Sequence, residues 1–195
     1  MIRFCDILCS FIGLLLLSPL FIIVALWIVI DNPGPVFYRQ QRVGKDNKDF
    51  GVLKFRSMRV GADKMSLITI GDRDPRVTRA GFYIRKYKLD ELPQLWNVLI
   101  GDMSLVGPRP EVRRYVDYYT EEQRRVLSVR PGITDYASIE YIDENVLLAQ
   151  SEDPDKIYIE QIIPAKIALN MRYIEHQTLG EYLKIIFLTF YKIIR

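Results

Sequence analysis

Histidine is nearly absent from this sequence, since His176 is its only one. A zinc protease of the two-histidine type would need a second histidine, and a Ser-His-Asp triad would rest entirely on this residue. The Gly-x-Ser-x-Gly segment that carries the nucleophile of many hydrolases is absent as well. We therefore expect His176 to be structural and the common histidine-dependent hydrolases to be excluded.

Cysteine and strong net charge are also scarce. Cys5 and Cys9 are the only cysteines, and they lie one helical turn apart in an apolar stretch without the further ligands that a zinc site needs. This setting indicates small apolar residues in a reducing compartment. The formal net charge is +3, with no long run of lysine or arginine and no base-stacking motif. We accordingly expect no nucleic-acid partner.

One long segment near the N-terminus carries no charged residue. It runs from Ile7 to Ile30, about 24 residues, and about 20 suffice for a helix to cross a bilayer. A cleavable secretory signal has a shorter apolar core and a small-residue cleavage site, whereas the turn-forming sequence Asp-Asn-Pro-Gly-Pro follows here. We expect residues 1–30 to be retained as a membrane anchor, followed by a second domain of residues 31–195.

Ser18 and Pro19 lie at the middle of this apolar segment. Proline removes one helical hydrogen bond and clashes with the preceding turn, and the Ser18 hydroxyl can satisfy part of the backbone that is freed. Basic residues flank both ends of the segment, Arg3 before it and Arg39 and Arg42 after it, and such flanks prefer the cytoplasm. The residues alone leave two paths open, a re-entrant hairpin that returns to the same membrane face and a kinked single span.

The remaining sequence indicates a mostly helical α+β domain with a small β element. Two strand-like segments, 36–39 and 50–56, flank a turn at Gly44. Residues 61–76 are predicted to form a loop, and residues 130–133 a turn. Periodicity and capping residues predict these helices: 79–88, one beginning at Asp90 and ending near Gly101, one from Thr120 towards Arg130, about 155–175, and 179–194.

The last helical pattern is unusually apolar. Its charges are the scattered basic residues Lys184, Lys192 and Arg195, and Thr178 with Glu181 forms a capping box at its start. Apolar bulk with scattered positive charge is typical of an amphipathic helix at a membrane surface. A buried core helix explains the same composition equally well.

The segment between Arg85 and Asn97 is the most informative one. It contains two adjacent carboxylates, Asp90 and Glu91, which follow basic residues and precede an apolar helical face with Pro93 in its first turn. We predict Asp90 to be the helix N-cap, where the helix end favours negative charge and also binds phosphate. A nucleophilic aspartate beside a phosphate site can transfer a phosphoryl group, although a cap and a first-turn acid explain the same residues.

Several cations could accompany these carboxylates. Arg109 lies between two prolines that preset its backbone, which suits bidentate phosphate binding. Lys54 and Arg56 flank Phe55 on a predicted strand and would project from one face. Each residue alone is equally consistent with a solvated surface, but together they indicate phosphate chemistry at a membrane. The predicted phosphate-binding residues are Lys54, Arg56, Arg85, Arg109 and Arg130.

A longer string makes the sequence recognisable. Residues 88–111, KLDELPQLWNVLIGDMSLVGPRPE, closely resemble the bacterial sugar transferases known as monotopic phosphoglycosyl transferases. Residues 54–58, residues 130–134 and the Ser18-Pro19 pair share this resemblance. The resemblance extends from Arg3 to the last helix, and the string is too long to be a chance motif.

The resemblance implies a reaction and a location. It implies transfer of a phosphosugar from a UDP-sugar to undecaprenyl phosphate through a covalent phosphosugar-aspartate, with Mg²⁺ and with release of UMP. Asp90 matches the nucleophile and is the expected Mg²⁺ ligand, and Glu91 matches its acidic partner. The family's N-terminal segment is a re-entrant helix-break-helix, here at Ser18-Pro19. Both of its ends would face the cytoplasm, at the inner membrane of a bacterial cell, where bacterial glycoconjugate assembly has its first membrane step.

One departure and two alternatives remain. Many relatives have Gly-Trp after Pro-Gly-Ile-Thr, whereas this sequence has Asp135-Tyr136, which leaves the identity of the sugar open. A membrane-anchored scaffold or binding module, in which Asp90 is only a cap, would have no UMP-releasing activity. A glycosyltransferase that moves the bare sugar would release UDP instead. The residues are compatible with a homo-oligomer and do not define the oligomeric state.

Overall fold

The computed structural model describes residues 1–62, 74–141, 148 and 153–194. Within these ranges the protein is a mixed helix and strand structure with one apolar N-terminal helix, as the sequence predicts. Most of the predicted loop 61–76 lies outside the described residues. So does Arg195, the last of the basic residues noted at the C-terminus.

Helix α1 is continuous from Ile2 to Asp31, with Pro19 inside it. The hydrogen-bonded helix therefore passes through Ser18-Pro19 without an interruption, and the predicted kink and re-entrant path stay predictions. Pro19 cannot donate to the carbonyl of Leu15, and the Ser18 hydroxyl donates to that carbonyl instead, at 2.8 Å. Because the side chain replaces the missing backbone bond, the helix continues through the proline. Among the described residues, α1 is the one helix long and apolar enough to cross a membrane.

The first half of α1 is attached to the rest of the protein by polar contacts. Asp6 is almost fully buried. Its carboxylate accepts hydrogen bonds from the hydroxyl of Ser104 (2.9 Å), the backbone N–H of Leu105 (2.9 Å) and the hydroxyl of Tyr182 (2.8 Å). Arg3 donates to two backbone carbonyls in a neighbouring helix, at 2.7 and 3.1 Å. A charged residue at this place in an apolar helix is thus explained by its partners.

Strands β1 (Phe37–Val43) and β2 (Asp49–Phe55) form an antiparallel hairpin, which confirms the predicted β element. The 3₁₀ turn Lys45–Asn47 joins them. The left-handed backbone of its last two residues, Asp46 and Asn47, allows the tight reversal. Phe55 at the end of β2 is buried in a core with residues of α1 and of the next helix. The hairpin therefore packs against α1 and α2 through the end of β2.

Helix α2 spans Arg79–Lys86, close to the predicted 79–88, and Thr78 caps it. A short 3₁₀ turn, Leu89–Glu91, follows, and helix α3 spans Gln94–Ile100. Helix α3 ends at Gly101, as predicted, with φ of 102°.

A second, parallel pair of short strands follows α3. Strands β3 (Ser104–Val106) and β4 (Gly132–Thr134) pair in register, and β4 replaces the predicted turn at 130–133. Side chains at Gly107 or Gly132 would overlap the backbone of the opposite strand segment. This close approach brings the segment after β3 against the segment that contains β4.

The remaining elements complete the C-terminal half. Short helix α4 spans Arg113–Val116, and a 3₁₀ helix covers Gln123–Ser128. The predicted capping box at its start is present, since Thr120 and Gln123 exchange side-chain to backbone hydrogen bonds of 3.2 and 2.9 Å. Helix α5 spans Tyr136–Glu140.

Two longer helical regions end the described chain, as predicted. Helix α6 (Pro154–Ile157) passes through a π-helical turn into α7 (Ile163–Glu175), and α8 spans Leu179–Ile194. Helix α8 has one buried and one exposed apolar face. Tyr182 and Ile185 are fully buried, whereas Phe187 and Phe190 are exposed on another face.

Candidate active site

The two adjacent carboxylates lie in the 3₁₀ turn between α2 and α3. Lys88 has a positive φ of 55°, which ends α2 and starts this new turn. Helix α3 begins only at Gln94, after Pro93. The prediction that Asp90 is the N-cap of this helix is therefore wrong, because the left-handed residue inserts a separate turn before the helix. The side chain of Asp90 is free of the capping role that the sequence assigned to it.

Glu91 is held by two cations. Its carboxylate pairs with the guanidinium of Arg109 through both oxygens, one of the two hydrogen bonds measuring 3.2 Å. The ammonium of Lys54 lies 3.9 Å from Oε1 of Glu91. Burial alone would raise the pKa of Glu91, but the charges of Arg109 and Lys54 outweigh burial and hold this pKa well below its usual range. These two cations thus favour the ionised form of Glu91.

The pKa of Asp90 is shifted in the opposite direction from the pKa of Glu91. Burial raises its pKa, and the negative charge of Glu91 raises it further, while Lys54, Arg85 and Lys88 act in the opposite direction. In the parts of the chain that the structure describes, no hydrogen bond or ion pair involves the Asp90 carboxylate. Asp90 is therefore a carboxylate beside cations whose oxygens are available to a ligand.

The two cations at Glu91 come from distant parts of the sequence. Lys54 lies on β2, and burial lowers its pKa to about 8, although Glu91 acts in the opposite direction. Arg109 follows β3, and the charge of Glu91 raises its pKa further above the normal value. Both residues were predicted as phosphate ligands, and the structure brings both to the pair of adjacent carboxylates, Asp90 and Glu91, which we call the dyad.

The other three predicted phosphate ligands differ in their interaction partners. Arg85 acts on Asp90 by its charge. Arg56 is buried, and its guanidinium donates to the carbonyls of Asn32 and Pro33 just after α1. Arg130 donates to the carbonyl of Gly101 at the end of α3 (2.9 Å). The structure therefore gives Arg56 and Arg130 backbone carbonyls as partners.

Asn97 is a site-supporting residue that the sequence reasoning missed. Its amide accepts from the backbone N–H of Leu53 (2.8 Å) and donates to the carbonyl of Gly51 (2.9 Å). These bonds fasten α3 to β2 and thereby set Lys54 against the turn that carries the dyad. Asn97 lies opposite the predicted apolar face of this helix, so the sequence pattern placed it on the exposed side, whereas the structure buries it.

The carboxylates of Asp90 and Glu91 supply only some of the oxygen ligands that a hard cation such as Mg²⁺ needs. The described residues contain no cluster of three or more histidine, cysteine, aspartate or glutamate side chains able to hold a metal. Magnesium is commonly held by one or two carboxylates together with phosphate oxygens of a substrate. The available oxygens of Asp90 fit such a shared site, in which the substrate completes the coordination.

Comparison of the sequence with known proteins identifies the family of this chain. The family described as "Bacterial sugar transferase" matches residues 1–195. The UDP-N-acetylgalactosamine-undecaprenyl-phosphate N-acetylgalactosaminephosphotransferase of Aeromonas hydrophila is 48% identical over 139 residues, 69% of this chain and 32% of the relative. The UDP-glucose:undecaprenyl-phosphate glucose-1-phosphate transferase of Escherichia coli (strain K12) is 36% identical over 190 residues, 96% of this chain and 39% of the relative.

A third relative has the same name as the second. The UDP-glucose:undecaprenyl-phosphate glucose-1-phosphate transferase of Caulobacter vibrioides is 40% identical over 140 residues, 70% of this chain and 52% of the relative. The matched regions thus span from about a third to about half of the length of these three proteins. Because the family match covers the whole chain, this protein belongs to the bacterial sugar transferase family.

Proposed function

We propose that this protein transfers a phosphosugar from a UDP-sugar to undecaprenyl phosphate. The observation that carries the proposal is the available carboxylate of Asp90 next to Lys54 and Arg109, two cations that Glu91 holds together. The names of the relatives contain the same donor and acceptor classes. The class of UDP-sugar and the glycoconjugate that receives the product are left open by the site.

The proposed reaction has two displacement steps at one phosphorus atom. An oxygen of Asp90 attacks the β-phosphorus of the UDP-sugar, the bond to the α-phosphate oxygen breaks, and UMP leaves with the electron pair. A phosphate oxygen of undecaprenyl phosphate then attacks the same phosphorus. The Asp90–phosphorus bond breaks, which regenerates the carboxylate and forms the polyprenyl diphosphosugar. When bound, Mg²⁺ would neutralise charge on the phosphate oxygens.

The remaining residues have electrostatic and positioning roles in this proposal. Arg109 presents a planar fork that suits two phosphate oxygens, and Lys54 adds a point charge. Glu91 holds both cations near Asp90 before the diphosphate arrives. Because its pKa is strongly depressed, Glu91 is a poor proton carrier, and we assign it to organising the cations.

We also propose that both ends of α1 lie on the cytoplasmic face of the inner membrane. Arg3 and Asp6 bind α3, β3 and α8 at one end, and Asp31 accepts the backbone N–H of Ala80 at the start of α2 (3.0 Å) at the other. A helix of 30 residues is about 45 Å long, more than the roughly 30 Å of a bilayer core. Contacts of both ends with the same domain favour a re-entrant or interfacial path over a span.

The exposed apolar surface supports the same membrane arrangement. Leu15, Leu16, Ile22 and Ile23 of α1 are mostly exposed, and Phe187 of α8 is 71% exposed. Lipid contact would remove these apolar side chains from water. A water-insoluble acceptor also requires an active site at the membrane surface.

Cysteine labelling tests this topology. A cysteine at position 2, in a background with Cys5 and Cys9 replaced by serine, should resist impermeant reagents in intact cells. Asp117→Cys, an exposed position of the second domain, is the matched control and should resist equally. Labelling of position 2 from outside, with position 117 protected, would show a true span.

Product analysis tests the proposed reaction. Purified protein should release UMP in the presence of one UDP-sugar, polyprenyl phosphate and Mg²⁺. Release of UDP would indicate transfer of the bare sugar. A folded protein that releases no nucleotide with any UDP-sugar of a broad panel would favour the scaffold alternative.

A further inference from the structure

Asp135 is a buried carboxylate that the proposed reaction does not use. It is 1% exposed and accepts three N–H hydrogen bonds. The donors are the backbone of Arg109 (2.8 Å) and the amide of Asn170 (2.9 Å), both at Oδ2, and the backbone of Ser138 (2.5 Å) at Oδ1. Three separate segments, the Pro-Arg-Pro segment, α5 and α7, thus meet at one side chain.

The bond to Arg109 matters because of the residues around it. Pro108 and Pro110 have no backbone N–H, so Arg109 has the single main-chain donor of this three-residue segment. Asp135 accepts that donor. The carbonyl of Pro108 accepts from Gly132 at 3.0 Å. The backbone of the Pro-Arg-Pro segment is therefore tied at Asp135 and at the start of β4.

Capping of α5 does not account for this arrangement. The cap needs only one acceptor, which Oδ1 supplies to the N–H of Ser138. A serine or threonine could provide that acceptor without bringing a buried negative charge. The second oxygen serves Arg109 and Asn170, neither of which belongs to α5.

We propose that Asp135 is a positioning residue that sets the Arg109 guanidinium for diphosphate binding. The proposal rests on the function proposed above and names a residue that determines its phosphate site. The Arg109 fork must meet two oxygens at once, so a small shift of its backbone misaligns both bonds. Asp135 fixes the position of the Arg109 backbone through its hydrogen bond. The guanidinium then contacts Glu91, the residue next to Asp90.

The substitution Asp135→Ser separates this role from capping. Serine retains an acceptor for the N–H of Ser138 but is too short to supply the second oxygen. We expect UDP, used as the probe with Mg²⁺, to bind about tenfold more weakly, the loss of one well-placed hydrogen bond. Ser138→Ala is the matched control, because it removes a buried hydroxyl without a partner in the described structure and keeps the backbone donor. Its UDP affinity should equal that of the wild type.

A double-mutant cycle with Arg109→Ala shows whether Asp135 acts through Arg109. We expect Asp135→Ser to weaken UDP binding in the wild type and to have no further effect in Arg109→Ala, while Tm falls equally in both backgrounds. The same loss of affinity in both backgrounds would overturn the positioning role and leave the proposed function intact. Failure of the folded wild type to bind UDP would contradict the proposed function and with it this role.

A readout without nucleotide covers the case in which Asp135→Ser folds poorly or Arg109→Ala binds too weakly. The milder Asp135→Asn has one acceptor oxygen instead of two, so one of the three donors loses its partner. A less well-placed Arg109 should change the ¹⁵N chemical shifts of its guanidinium, measured by NMR without nucleotide. Unchanged Arg109 shifts in Asp135→Asn would overturn the proposal, and Ser138→Ala again serves as the control.

Discussion

Two carboxylates of this protein, Asp6 and Asp90, differ in one decisive respect. Asp6, on α1, is 2% exposed and its oxygens accept from three donors of β3 and α8. Asp90, in the turn before α3, has neighbouring cations but no hydrogen bond or ion pair with any residue that the structure describes. The satisfied carboxylate joins two parts of the fold, and the unsatisfied one is available for chemistry.

The largest expected effect concerns the available carboxylate. Asp90→Asn should lower the rate of UMP release by about a thousandfold or more, because the amide is a poor nucleophile. Its Tm should stay near that of the wild type, since the carboxylate has no partner in the described structure to lose. Asp117→Asn, an exposed site, is the matched control for both measurements. Full activity of the Asn variant would remove Asp90 from the mechanism.

The satisfied carboxylate should show the reverse pattern. Asp6→Leu leaves the donors of Ser104, Leu105 and Tyr182 without an acceptor, which should lower the free energy of unfolding by about 3 kcal/mol. Denaturation in detergent measures the effect, and Asp6→Asn should lose less. The remaining folded protein should release UMP at nearly the wild-type rate. A stable but inactive Asp6→Leu would break the distinction between the two carboxylates.

A smaller loss is expected for the cation that faces the dyad. Arg109→Lys keeps the charge and loses the fork, so kcat/KM for the UDP-sugar should fall by about 10- to 100-fold. Arg113→Lys provides the comparison, because Arg113 forms an exposed ion pair with Asp49 (2.6 Å) away from the dyad. Equal kinetics for the two lysine variants would argue against phosphate binding by Arg109.

The smallest effect concerns pH. Lys54 has a pKa lowered to about 8, so it is charged below this pH and loses its charge as pH rises through it. We expect kcat/KM to decline by about tenfold or less between about pH 7 and pH 9, since kcat/KM reports the free enzyme. In Lys54→Arg the decline should move to higher pH. A profile that is identical in the two proteins would assign the titration to another group.

Local signals in the sequence predicted much of the fold. The strand-like segments on either side of Gly44 indicated the β1–β2 hairpin, and Thr120 with Gln123 indicated a helical start that the structure contains. Gly101 marked the end of α3. Each of these depends on neighbouring residues alone, which is why the sequence could reveal them.

Long-range contacts explain what the sequence could not reveal. The strands β3 and β4 are three residues each, too short for a periodic pattern, and they meet through the approach of Gly107 and Gly132. The N-cap prediction for Asp90 failed because Lys88 adopts a left-handed backbone. Helix α1 continues through Pro19 because the Ser18 side chain takes the place of the lost hydrogen bond.

The candidate site was predictable to a similar extent. The resemblance indicated the dyad, and the Pro-Arg-Pro segment indicated Arg109, but charge alone did not separate Lys54 from Arg56. Those two residues are near each other in sequence, yet one reaches Glu91 and the other the carbonyls after α1. Only the fold assigns partners to residues of the same charge.

Trapping of the covalent intermediate tests the central claim most directly. The protein is incubated with Mg²⁺ and the UDP-sugar that supports UMP release, without acceptor, and its peptides are analysed by mass spectrometry. We predict a phosphosugar adduct on Asp90 that disappears on addition of undecaprenyl phosphate and is absent from Asp90→Asn. An adduct on another residue, or UMP release with no adduct on any peptide, would contradict the assignment of Asp90 as the nucleophile.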